Sequence, residues 1–109
     1  MIAFSDYRKL YESAKDHEEV DTYITTFEGD HDKALLETIY SFVHEGIVGM
    51  MRAEHMLLTK LADKYGLPYR TVQNWRDGTR KSPDHVMLLL GYAVIAETYF
   101  TEKEKQETS

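Results

Sequence analysis

Apolar residues recur at intervals of three and four along almost the whole chain, and nowhere in the steady alternation that a half-buried strand requires. Phe4, Tyr7, Leu10, Tyr11 and Ala14 make one such series, and Val20, Tyr23, Ile24 and Phe27 a second. Gly29-Asp30 ends the second segment, and Asp30 or Asp32 can cap a third, lined by Leu35, Leu36, Ile39, Tyr40 and Val43. Glu45-Gly46 marks a break, and Ile47 to His55 reads as another short helix. Leu58, Leu61, Ala62 and Tyr65 stripe the next one. Ser82-Pro83 opens the last, with serine as cap, proline at the first helical position and Asp84 in the first turn. The fold class that follows is all-α. Residues 101–109, TEKEKQETS, have nothing to bury and read as a frayed or disordered tail.

At 109 residues the chain is one domain, or one small domain with an extension. Cysteine is absent, so there is no disulfide frame and no thiolate ligand or nucleophile, which suits a cytoplasmic protein. The start, MIAFSDYRKLYESAKD, lacks the apolar centre of a signal peptide. The longest uncharged apolar run, Val86 to Ala96, spans 11 residues and is too short to cross a bilayer, so no membrane partner is expected. The five histidines form no metal pattern. His44-Glu45-Gly46-Ile47-Val48 lacks the second histidine of a zinc-protease motif, and Asp30-His31-Asp32 is better read as a helix cap. No glycine-rich phosphate loop and no catalytic spacing of serine, threonine or carboxylates is present, so neither an enzyme nor a cofactor is expected.

Charge is unevenly spread. Between Arg52 and Lys81 there are seven basic residues and three acidic ones, a local +4 within a chain of net charge −6. Surface scatter is the plain explanation; a positive face on an acidic body, able to meet a polyanion, is the sharper one. The stretch Gly66 to Lys81, GLPYRTVQNWRDGTRK, gives that face a shape. Gly66 can end one helix in the left-handed conformation, and Pro68 costs little in the first turn of the next. Wound at about 100° per residue, Thr71, Val72 and Trp75 fall on one side, and Tyr69, Arg70, Gln73, Asn74 and Asp77 on the other. Trp75 reads as core. Tyr69 either packs over Pro68 or meets a base or sugar, and Arg76 at the margin can pair with an acidic neighbour. Arginine can grip guanine O6 and N7, and asparagine or glutamine adenine N6 and N7.

The segment Leu58 to Pro83, LTKLADKYGLPYRTVQNWRDGTRKSP, resembles the helix-turn-helix of the Cro and phage-repressor-like family, also called the xenobiotic-response-element family. Leu61-Ala62 matches the pair that packs the first helix of the motif, and Gly66 its turn glycine. Val72 and Trp75 match the buried positions of the recognition helix, and Asp77-Gly78 stands where the family commonly has Asn-Gly. The resemblance, covering about half the chain, implies a repressor-like helix-turn-helix bundle with extra N-terminal helices. It implies base contacts from Tyr69, Arg70, Gln73 and Asn74, and phosphate contacts from Arg52, Lys60, Thr71, Thr79, Arg80 and Lys81. It also implies double-stranded DNA as partner, binding as a homodimer, and a role in bacterial or phage transcription regulation. Two departures stand out. His55-Met56-Leu57-Leu58 replaces the common Gly-Leu-Thr-Gln, and Leu67-Pro68 replaces a serine or threonine cap.

The division read from sequence is 1–45, an acidic helical extension; 46–100, the helix-turn-helix domain; and 101–109, the tail. The last helix is apolar nearly all round, so a second face needs cover, from the N-terminal helices and in part from another subunit. A second function class remains open: an antitoxin, antirepressor or inhibitor-type interaction module whose acidic N-terminal helices bind a protein partner.

Overall fold

A computed structural model describes residues 1–100, so the expected tail at 101–109 lies outside the described residues. Among the described residues there are seven α-helices and no strand: α1 Phe4–Ala14, α2 Val20–Phe27, α3 Lys33–Glu45, α4 Ile47–Glu54, α5 Leu58–Lys64, α6 Tyr69–Asp77 and α7 Asp84–Ile95. A π-helical turn, Ala96–Phe100, continues α7.

The caps agree with the sequence in one place and differ in another. Asp32 caps α3, its carboxylate accepting from the Ala34 N–H at 2.8 Å. Ser82 does not cap α7. The helix begins at Asp84, with Pro83 at the N-cap position and its carbonyl accepting the Met87 N–H. Proline fixes φ near −63° without supplying a side-chain acceptor, so the first turn of α7 is left uncapped by any described side chain.

The two halves share one core. α1 packs on α3 and α7, and α3 packs on α4 and α7. Tyrosines fasten the N-terminal helices to one another and to α7. Tyr7 donates to the Leu88 carbonyl at 2.8 Å, Tyr23 to Leu10 at 2.8 Å, and Tyr92 to Ile2 at 2.7 Å. Each contributes about 1 kcal/mol net beside the burial of its ring. So the all-round apolar α7 is covered largely by its own chain: Met87, Leu88, Leu90, Val94 and Ile95 are buried, and Leu89 stands 55% exposed.

Two glycines set how closely helices cross. A methyl group at Gly49 would lie 2.7 Å from the Ser41 carbonyl oxygen, so α4 can meet α3 only because no side chain intervenes. At Gly91 a methyl would lie 2.5 Å from the Tyr7 hydroxyl oxygen and 3.0 Å from a Phe42 ring carbon. Gly91→Ala is therefore expected to destabilise by about 2 kcal/mol, overpacking outweighing a helix-propensity gain of about 1 kcal/mol. Combining it with Tyr7→Phe removes the obstructing oxygen. The double variant should recover at least about 1 kcal/mol relative to the summed single losses in urea unfolding.

Candidate nucleic-acid interface

Helix α5, a tight turn at Gly66 and helix α6 form a pair packed on each other, and α6 also rests on α4. Gly66 adopts φ +66°, and the Leu67 N–H closes on the Ala62 carbonyl at 2.8 Å. Buried Leu58, Leu61 and Ala62 hold α5 to the core, and Val72, fully buried, anchors α6. Trp75 is only half-buried; it packs against the core from its edge instead of sitting within it. A nine-residue helix with one fully buried side chain needs such a broad lateral contact to stay seated.

No described side chain caps α5 at Leu57 or α6 at Pro68, in keeping with the two departures seen in sequence. Leu57 is 74% exposed, the most exposed large apolar residue of the described chain. The far end of α6 is closed by Gly78, φ +78°, whose N–H meets the Trp75 carbonyl. The Arg80 N–H then bonds to the Asn74 carbonyl at 3.3 Å, so the 79–81 segment folds back along the helix it follows.

The outer side of α6 carries the four residues assigned to base contact. Tyr69 and Arg70 are exposed, and Gln73 and Asn74 are half-buried. Their side chains make no hydrogen bond or ion pair among the described residues. Side chains rich in donors and acceptors, with none of that capacity used internally, are available to a ligand. Of the six residues assigned to phosphate, Lys60, Thr79, Arg80 and Lys81 are exposed without a side-chain partner among the described residues, and Thr71 is half-buried.

Arg52 is placed differently. Its guanidinium forms a two-pronged pair with Glu45, at 2.6 and 2.7 Å, across the Gly46 bend between α3 and α4. Those hydrogen bonds, more than the charge alone, hold the Glu45 carboxyl below its usual range. Arg76 pairs with the adjacent Asp77 at 2.9 Å. Among the described residues of α5, α6 and the 79–81 segment, the cations left without an ion-pair partner are therefore Lys60, Arg70, Arg80 and Lys81.

One polar cluster was not singled out from the sequence. The Glu54 carboxylate, 3% exposed, accepts from the Lys64 ammonium at 2.9 Å and from the Tyr65 hydroxyl. It joins the last turn of α4 to the end of α5, and Lys64 reaches on to Glu97 at 3.8 Å. Burial first, then the bond to Glu54, pushes the Tyr65 phenol upward. A spacing of ten residues across two helices leaves no local signal for such a cluster. No grouping of histidine and carboxylates able to hold a metal ion occurs among the described residues, and no described helix is long and apolar enough to cross a membrane. Comparisons with family models, with curated proteins and with solved structures returned no match to this chain.

Proposed function

We propose that this is a sequence-specific DNA-binding protein that reads the major groove with α6, acting as a transcriptional regulator of bacterial or phage type. One observation carries the reading: Tyr69, Arg70, Gln73 and Asn74 share one side of a short helix and their side chains have no hydrogen-bond or ion-pair partner among the described residues, while Lys60 of α5 and Arg80 and Lys81 after α6 are also unpaired. Arginine, glutamine and asparagine on such a face match the donor and acceptor patterns of base edges. The flanking cations set affinity and register on the backbone. As a homodimer, the protein would present two copies of α6 to half-sites about one helical turn apart.

Enrichment of random-sequence duplexes on the purified protein, at low and at moderate salt, tests this. Recovery of a recurring palindromic motif supports the proposal, and loss of all retention at low salt defeats it. Arg70→Ala is expected to weaken binding by about 1–3 kcal/mol and to relax preference at one base pair. Lys81→Ala should weaken all sequences alike and reduce the slope of log affinity against log salt by about 0.9. Filter-binding titrations across a salt series separate the two patterns.

A second reading draws on Leu57. An apolar side chain 74% exposed at the start of α5 suits a protein surface better than a phosphate. On that reading the protein is an interaction module of the antitoxin, antirepressor or inhibitor type, with its acidic N-terminal helices toward a basic partner. Absence of DNA retention at low salt is the result that would favour it.

A further inference from the structure

Three core tyrosines lie along the inner sides of α1 and α2, and they do not end alike. The hydroxyls of Tyr7 and Tyr23 close on the Leu88 and Leu10 carbonyls. Tyr11 is as deeply placed, at 3% exposure, yet its hydroxyl has no hydrogen-bond partner among the described residues. It lines a cavity of about 420 Å³ between α1, the α3–α4 bend and the start of α7. That hydroxyl opens onto the cavity and is not sealed from water, so its hydrogen-bonding capacity is available to whatever enters.

The other walls define what that is. Phe42, Val43 and Met87 make an apolar floor. Lys81 and Ser82 line the opening, and neither side chain has a partner among the described residues. Lys15 also borders the cavity but is already neutralised by Glu12 at 3.0 Å and Asp84 at 2.7 Å. The unspent polar groups are thus one ammonium and two hydroxyls, all able to donate. The uncapped first turn of α7 adds a positive helix end at the same border, reached through Ser82 and Asp84. Burial keeps the Tyr11 phenol protonated up to about 12, so it remains a donor at any ordinary pH. A dianion would meet Asp84 and Glu12 with only one free cation to offset them. A singly charged acceptor on an apolar body fits better.

We propose that this cavity binds a small monocarboxylate with an apolar or aromatic body, its carboxylate held by Lys81, Ser82 and the Tyr11 hydroxyl. The site stands on its own geometry. Its consequence for DNA rests on the reading given above: Lys81 is also assigned to a phosphate, so a bound carboxylate would compete for it and lower DNA affinity, and DNA would lower carboxylate affinity by the same factor.

The test separates the two. Benzoate is titrated into the full chain without DNA, following the methyl resonances of the assigned methionines. Saturable shifts centred on Met87, with a dissociation constant of about 1 mM, are expected for a ligand of this size. Benzamide, the uncharged analogue, should bind at least about tenfold more weakly. Tyr11→Phe, which removes only an unbonded hydroxyl, should melt like the parent and weaken benzoate by about 3- to 10-fold. Should Tyr11→Phe misfold, Ser82→Ala at the opening gives the same readout. Shifts that do not saturate, shifts centred away from Met87, or equal binding of benzamide overturn the site without touching the DNA reading, as does unchanged affinity in whichever of the two variants is folded. Benzoate binding together with unchanged DNA affinity at saturation refutes the coupling alone.

Discussion

Glu54→Ala is expected to remove about 3 kcal/mol of stability, a drop of roughly 10–20 °C in melting temperature for a domain of this size. The carboxylate is 3% exposed and sits in the last turn of α4, where the helix dipole disfavours a negative charge. It is tolerated because the Lys64 ammonium and the Tyr65 hydroxyl both donate to it. Removing it strands two donors. Breaking a buried pair by deleting one partner typically costs about 3–5 kcal/mol. The lower end applies here, because the Lys64 side chain is 31% exposed and keeps Glu97 within 3.8 Å. Glu54→Gln keeps the shape and an acceptor for Tyr65, so it should lose only about half as much. Replacing both partners, Glu54→Leu with Lys64→Met, should bring stability most of the way back. Urea unfolding of the four proteins checks the series. A loss below about 1 kcal/mol for Glu54→Ala would mean that water already reaches the carboxylate.

The same cluster bears on the candidate interface. Glu54 ties α4 to α5, and α5 carries the turn that sets the angle of α6. On the DNA-reading proposal, a variant that weakens this tie should lose DNA binding only as it loses the fold, whereas Arg70→Ala should lose binding at full stability. Measuring both properties on both variants separates the scaffold from the reading surface.

What could be read from the sequence divides along physical lines. Helix positions were legible because a 3.6-residue period is a local property: Tyr7, Leu10, Tyr11 and Ala14 must share a face once the backbone is helical. The turn at Gly66 and the close at Gly78 were legible for the same reason, each written in one or two residues. The phase of Arg70, Gln73 and Asn74 on the helix followed from Thr71, Val72 and Trp75 falling on the opposite side. What escaped depended on angles between helices. Arg52 looked like a free cation until the Gly46 bend, φ +58°, swung it onto Glu45. Trp75 looked like core, but it is half-buried and packs against the core without being enclosed by it. Ser82 looked like a cap, but the helix begins after Pro83. Tyr11 was placed correctly as an inward residue, yet its open hydroxyl depends on three other segments stopping short of it.

The second large effect is alkaline. Burial, ahead of neighbouring charges, raises the phenols of Tyr7, Tyr11 and Tyr23, Tyr11 to about 12 and the other two further. All three side chains are at most 3% exposed. In the unfolded chain each ionises near its ordinary value of about 10. The folded state thus holds protons that the unfolded state has released, and stability must fall as pH rises. The contribution is complete below about pH 10 and is lost above it, at about 4 kcal/mol per pH unit once all three phenols differ between the states. Tyr65 shifts in the same direction but is less enclosed and adds less. A domain with ordinary stability of about 5–15 kcal/mol would then unfold cooperatively one to a few units above pH 10. Tyrosinate absorbance and circular dichroism should change together there, with Tyr7 and Tyr23, two of the eight tyrosines, ionising only as the helices are lost. Tyr7→Phe removes one titrating group, so the slope above pH 10 should fall by about a third. If instead the Tyr7 and Tyr23 phenols ionise at once after a pH jump, before helicity changes, water already reaches these side chains and the tightly closed contact of α1 with α7 is wrong.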